Sequence, residues 1–274
     1  MTLQEKLKEY QQKRKGLLAT NFYNLETLQG VLIAASRCHA PVILQLTRSS
    51  IEYMGLREAV ALARRSMETF EVEGWLHLDH GDSYELVKRC LEEGFDSVMI
   101  DASNKSFTEN VEITRQVVEE AQKYNANVEA ELGYIAKLGQ SQMVKTTNTT
   151  VSEAVEFVRQ TSVNTLAIAI GSSHGFYKSE PHLNIQRLKE IHKAIETILV
   201  LHGSSGIPDE MLQEAISNGI TKINLATEIK DTFMKALKQT LQDSDEIDLR
   251  KVFPNACESV VDLLIHKFRV ININ

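Results

Sequence analysis

Cysteine is almost missing from this chain: Cys38, Cys90 and Cys257 are the three in 274 residues. They are widely spaced and odd in number, so they make neither a disulfide framework nor a CxxC metal site. A reduced, cytoplasmic setting is the expectation. Long hydrophobic runs are missing too. The longest, such as TLAIAIG at 165–171, fall far short of the roughly 20 apolar residues that a membrane-spanning helix needs. There is no long basic run, and the net charge is −7. That argues against nucleic acid or anionic membrane as the main partner. The opening MTLQEKLKEYQQKRKG is polar and amphipathic, without the apolar core of a signal peptide. No Pro/Gly/Ser linker or compositional break divides the chain. One domain over 1–274 is expected, with a helical extension at about 244–274.

What is present is a repeated pattern. Short apolar, β-branched runs recur as GLLATN (16–21), PVILQLT (41–47), WLHLDHG (75–81), SVMIDAS (97–103), NVEAELG (127–133), TLAIAIGS (165–172), ILVLHGS (198–204) and KINLATE (222–228). Nearly continuous hydrophobicity is what parallel strands covered on both faces require. Helical spacing fills the intervals, as in Leu28, Val31, Leu32 and Ala35, and in part Ile113, Val117 and Val118. Ser83, Ser152 and Pro208 stand where helices should begin, and Gly94 and Gly219 where they should stop. Eight strand–helix repeats predict an α/β fold, a (β/α)8 TIM barrel. An open doubly wound sheet has the same periodicity and is the alternative.

In such a barrel the active site forms at the C-terminal strand ends. Those ends carry Asn21, Thr47, Asp79 with His80, Asp101, Glu131, His174, His202, and Asn224 with Thr227. Three histidines from separate strands are the usual material of a catalytic zinc site, with one position left for substrate. Taken singly, each is as readily a hydrogen-bonded structural residue. His77 lies inside its strand, on the alternating face of Asp79, and reads as supporting. His39, His182, His192 and His266 read as surface residues. HGSSG (202–206) and NLATE (224–228) follow the last two strands, where backbone N–H groups commonly bind phosphate. A Schiff-base lysine is not expected: Lys222 reads as the start of its strand, at the wrong end of the barrel, and Lys178 lies in the loop after His174.

The motifs LDHG, VMIDAS, VEAELG, AIGSSHGFYK and LHGSSG, in that order, resemble the class II fructose/tagatose-bisphosphate aldolases. The likeness runs from TNFYNLETLQG through NLATEIKDTF to DLRKVF. It implies a (β/α)8 barrel binding one catalytic Zn2+ per chain through His80, His174 and His202, with room for a monovalent cation. Asp79 would be the catalytic acid/base, and Asp101 and Glu131 carboxylates near the metal. Gly175, Lys178, Gly203, Ser204, Ser205, Asn224, Leu225, Ala226 and Thr227 match the segment that holds the dihydroxyacetone-phosphate half. Asn21 and Thr47 match positions near the other half. Arg250 matches an arginine that reaches a distal phosphate in a neighbouring subunit, so a homodimer or homotetramer is implied. The small-molecule partner would be a sugar phosphate. By the same likeness Asp79 takes the C4 hydroxyl proton, the metal acts as Lewis acid, and the C3–C4 bond breaks.

The chain departs from the family in three places. Its loop at 134–150 is short and has no carboxylate between Glu131 and Glu153. The family usually places a glycine-glycine-x-glutamate-aspartate motif there, whose glutamate exchanges the proton on the released carbon. Tyr134 could substitute, exchange could be slow, or the substrate could differ. Asn104 stands where histidine is common, and the chain ends early, at RVININ. NLATEIK is closer to tagatose-type enzymes and QLTRSSIEYMG to fructose-type ones. Cleavage of tagatose- or fructose-bisphosphate is therefore the leading expectation. The alternatives are another ketose phosphate, or a catalytically weak binding subunit.

Overall fold

The computed structural model describes residues 1–133, 135, 148–177 and 179–272. Tyr134, Lys178 and most of the loop at 134–150 lie outside the described residues. The chain opens with α1 (Leu3–Gln12), β1 (Leu17–Asn21), α2 (Leu25–Arg37) and β2 (Val42–Leu46). Two helices follow, α3 (Arg48–Met54) and α4 (Leu56–Thr69), before β3 (Gly74–Gly81), α5 (Tyr84–Glu92), β4 (Ser97–Ile100) and α6 (Phe107–Gln122). Next come β5 (Asn127–Leu132), α7 (Val151–Thr161), β6 (Thr165–Ile168), α8 (Ile185–Ala194), β7 (Ile198–Leu201) and α9 (Asp209–Ser217). The order ends with β8 (Ile220–Leu225), α10 (Thr227–Asp243) and α11 (Leu249–Ile271). All eight strands are parallel and close in sequence order, β1 pairing with β8. The fold is the (β/α)8 barrel; the open sheet is excluded by that closure.

Strand alternation divides the side chains into two sets. Leu18, Leu44, Leu76, Val98, Val128, Leu166, Leu199 and Ile223 point outward and form the main core beneath the helices. Their neighbours point into the barrel. At its lower end Leu17, Ile43, Trp75 and Ile198 pack with Leu3 and Leu7 of α1, which closes that mouth. Above them the interior turns polar: Gln45, His77, Ser97, Glu129, Thr165 and Lys222 are all buried. Reading most of the strands as nearly continuous apolar runs missed this layer apart from His77.

Local signals act largely as the sequence predicts. Ser83 caps α5 through Leu86 N–H, and Gly94 and Gly219 take positive φ after α5 and α9. The cap of α7 is Thr150, not Ser152; its hydroxyl accepts from Glu153 N–H, and Glu153 answers in a reciprocal capping box. β8 begins two residues earlier than KINLATE implied, which moves Lys222 from the strand's start to its middle. Its side chain therefore enters the barrel. Among the outlying histidines, His39, His182 and His266 are exposed, while His192 is half-buried. Among the described residues no helix is long and apolar enough to cross a membrane.

Candidate active site

A regular strand would send Asp79 into the barrel and His80 out of it. The pairing of β3 with β4 shifts register between Leu78 and Gly81, and His80 sits at φ 51, in the left-handed region. Such a bulge re-aims a side chain, and both residues face the upper mouth. A left-handed β-strand terminus on a non-glycine residue costs energy and collects at functional sites. Alternation alone could not have placed the two side chains together.

His80, His174 and His202 converge there. His80 Nε2 lies 3.2 Å from His174 Nε2 and 3.1 Å from His202 Nδ1. The remaining nitrogens of two rings are tied to carboxylates. His80 Nδ1 lies 2.8 Å from Asp101 Oδ2, and His202 Nε2 lies 2.8 Å from Glu129 Oε1. A carboxylate can only accept, so each of these nitrogens carries the proton. The converging nitrogens are then lone pairs facing one another, an arrangement that needs a proton or a cation between them. Tetrahedral ligands about 2.05 Å from zinc stand roughly 3.3 Å apart, and the observed spacings fit that cation. His80, Asp101 and Glu131 form a second group with ligand-capable atoms within 4.8 Å of one another.

Charge in the site is set by burial and neighbours. Burial would raise Asp79, but His80, His202 and the Asn21 bond outweigh it and hold the carboxyl below its usual range. Asn21 Nδ2 donates to Asp79 Oδ2 at 3.0 Å, and Asn224 Nδ2 approaches Oδ1 at 3.5 Å. Burial and Lys222 push His77 down to about 3, so it is neutral; its Nδ1 lies 2.7 Å from Ser97 Oγ. Glu131 moves the other way. Burial and the neighbouring Asp101 push it up from 4.5 to about 8.

That shift has a stability consequence for the metal-free chain. Between its unfolded value of 4.5 and its folded value of about 8, the folded state binds more protons at Glu131 than the unfolded state does. The favourable contribution is complete below the lower value and is lost as pH rises to the upper one, by about 1.4 kcal/mol per pH unit. Glu131→Gln is expected to raise the Tm of metal-free protein at pH 8.5 clearly more than at pH 5. Equal shifts at both values would show that Glu131 titrates normally.

The remaining predicted residues separate into groups. Asn21, Thr47, Gly175, Gly203, Ser205, Asn224, Ala226 and Thr227 line one cavity of about 300 Å³ with Asp79 and the three histidines. Gly203 has φ 66, and a Cβ there would collide with the Ser173 carbonyl, so glycine is required where the two loops meet. Tyr177 Oη joins the same loops, donating to Gly203 O at 2.8 Å and accepting from Ser173 N–H at 3.0 Å. Ser205 Oγ accepts from Glu228 N–H at 3.2 Å. Ser204 turns away: its hydroxyl donates to Asn224 O at 2.6 Å, and only its main chain remains for a ligand. Leu225 is likewise buried in the core. Arg250 is 89% exposed and forks onto its own Asp248, so this chain does not bring it to the cavity.

Sequence reasoning missed Tyr23, Ser49 and Lys230, which also line the cavity. Lys230 Nζ stands 5.4 Å over the Tyr23 ring. Its signal was available: it lies one helical turn beyond Ala226 and Thr227 at the start of α10. Glu129 was missed because it belongs to the layer below the strand ends.

Comparison with known proteins agrees with this barrel. The chain matches the family described as Fructose-bisphosphate aldolase class-II over residues 1–274. It is similar to the YdjI aldolase from Escherichia coli K12, with 30% sequence identity, a TM-score of 0.89, and coverage of 98% of this chain and 96% of that one. It shares its fold with the fructose-bisphosphate aldolase (Fba) of Campylobacter jejuni, at 19% identity and TM-score 0.85, covering 98% of this chain and 94% of that one. The chain belongs to the class-II fructose-bisphosphate aldolase family. By class it is a carbon–carbon lyase.

Proposed function

We propose that the chain is a metal-dependent aldolase that reversibly cleaves a phosphorylated ketose to dihydroxyacetone phosphate and an aldehyde. Tagatose- and fructose-1,6-bisphosphate are the leading substrates. The observation that carries this reading is the convergence of three imidazole nitrogens beside the buried carboxylate of Asp79.

In this reading His80 Nε2, His174 Nε2 and His202 Nδ1 would hold a single Zn2+, whose chemistry there would be Lewis acidity towards the ketose carbonyl. Asp79, held ionised by its neighbours, takes the proton from the C4 hydroxyl as the C3–C4 bond breaks; the electron pair of that bond stays on C3, which takes a proton from solvent to complete dihydroxyacetone phosphate, and both transfers reverse in the condensation direction. Asn21 and Asn224 fix its two oxygens. Gly203, Ser205 and Thr227 surround the donor phosphate, where the start of α10 turns N–H groups towards the anion. Ser49, Thr47 and Tyr23 line the side that takes the aldehyde half.

The test is a screen of ketose mono- and bisphosphates with metal-replete protein, trapping the dihydroxyacetone phosphate released. Product from one ketose identifies the substrate and removes the binding-only reading. No product from any of them overturns the proposal. A ketose phosphate outside the tagatose/fructose pair is the second reading, favoured by the lack of a carboxylate between Glu131 and Glu153.

Arg250, remote from the cavity of its own chain, is assigned to a neighbouring subunit's distal phosphate. Arg250→Ala is expected to raise KM for a bisphosphate and to leave that for the matching monophosphate unchanged, because an arginine fork grips phosphate through two parallel bonds. Equal weakening of both would make the residue structural.

A further inference from the structure

Lys222 has no part in the chemistry just described, yet it is one of the most buried large side chains in the protein, at 1% exposure. Its Nζ donates to Glu129 Oε2 at 2.8 Å and lies 3.5 Å from His77 Nε2. Glu129 is fully buried as well, and its other oxygen, Oε1, faces His202 Nε2 at 2.8 Å. The two carboxylate oxygens therefore have different partners, an ammonium on one side and an imidazole on the other. His77 is fixed in turn by Ser97, and Ser97 by Asn127 Nδ2 at 3.0 Å. The lysine is thus anchored from below.

His202 needs such support. It must present Nδ1, not Nε2, to the centre shared with His80, and a neutral imidazole in solution moves between its two tautomers. One competing partner is present: Asn224 Nδ2 lies 3.1 Å from the same Nε2. A donor there would favour the proton on Nδ1, the wrong tautomer for holding a metal. The carboxylate is nearer and accepts only. Asn224 Nδ2 also approaches Asp79 Oδ1, at 3.5 Å, so its amide hydrogens have a carboxylate acceptor away from the ring. Glu129 then sets the proton at Nε2.

We infer that Lys222 is a positioning residue that acts through Glu129 to hold His202 as the Nε2–H tautomer, with the Nδ1 lone pair aimed at the three-histidine centre. This rests on the reading of that centre as a metal site. A plain structural role for the ion pair makes a different forecast. Replacing a buried pair by apolar residues of similar size is often neutral or stabilising, and a merely structural pair would leave the site intact when both halves are removed together.

The decisive variant is the double substitution Glu129→Met with Lys222→Met, beside Glu129→Gln and Lys222→Met singly. Two readouts are taken. Metal affinity is measured by Co2+ titration, followed by the visible absorption of the bound ion. The tautomer of His202 is read from the ring 15N shifts of metal-free protein. The double variant is expected to fold and to bind Co2+ about 10–100-fold more weakly, the usual loss when a residue supporting a metal ligand is changed. Its His202 is expected to populate the Nδ1–H form, which wild type does not. If the double variant does not fold, the same readouts on Glu129→Gln decide, since it keeps the volume and loses the obligate acceptor. Wild-type Co2+ affinity together with an unchanged tautomer in the variant would overturn the inference. Wild type that binds no Co2+ would instead refute the metal reading, and the 15N shifts alone would then test the action of Lys222 on His202.

Discussion

Asp79→Ala is expected to lower kcat for cleavage by about 10²–10⁴-fold, the usual contribution of a positioned acid/base, or roughly 3–5 kcal/mol of barrier. The fold should survive, because Asp79 lies at the open end of the barrel and its hydrogen bonds run to Asn21 and Asn224, not to the core. Metal content should survive as well, because the carboxylate is 3.8 Å from His80 Nε2 and is not among the ligand groups of the three-histidine centre. Asp79→Asn is the sharper control. It keeps the volume and one acceptor oxygen but cannot take a proton at neutral pH. Both variants should fall together in kcat with little change in donor binding, as expected for a group whose contribution is made in the transition state. A kcat within a few-fold of wild type in Asp79→Asn would remove proton transfer at this residue from the mechanism.

His202→Ala should have a large effect on the metal. It removes one of three converging nitrogens and strands the Glu129 oxygen that bonds to it, inside a fully buried pocket. The loss of affinity is expected to exceed the roughly 10–100-fold that follows from changing a supporting group. His174→Ala should lose metal comparably while leaving Glu129 and Lys222 paired, which separates ligand loss from damage to the interior. Metal analysis after dialysis, with activity restored or not by added Zn2+, checks both. Full occupancy in both variants would sink the three-histidine assignment.

The sequence revealed most of the strand ends and little of what supports them. Eight apolar runs and most of their caps are local patterns, legible without knowing their neighbours; the cap of α7, two residues from where it was expected, is the exception. The three histidines were legible because each follows a separate apolar run: His80 lies at the end of β3, His202 directly after β7, and His174 in the loop after β6, farther from its strand than the sequence suggested. His80 beside Asp79 was another matter. Two adjacent residues cannot share one face of a regular strand, and only the register shift against β4 with φ 51 at His80 brings both inward. The polar interior was hidden for a related reason. His77, Glu129 and Lys222 are single polar residues inside apolar runs, and what makes them one unit is barrel closure across residues as far apart as 129 and 222. The misplacement of Lys222 came from a two-residue error in the start of β8. Ser204 and Leu225 were assigned to substrate and phosphate binding from their place in a motif; their side chains turn into the fold, which leaves their main chain to face a ligand.

The helix that closes the lower mouth has a consequence for the response of the site to salt. Leu3 and Leu7 of α1, with Trp75 and Ile198, lie below the polar interior. Lys222 and Glu129 are themselves 1% and 0% exposed, so the attraction between them acts in a weakly polarisable surrounding and is little screened by mobile ions. Exposed pairs such as Arg37 with Glu258 fade as ionic strength rises from about 0.05 to 1 M. The interior pair does not fade with them, and the orientation of His202 should be the same in dilute buffer as in concentrated salt.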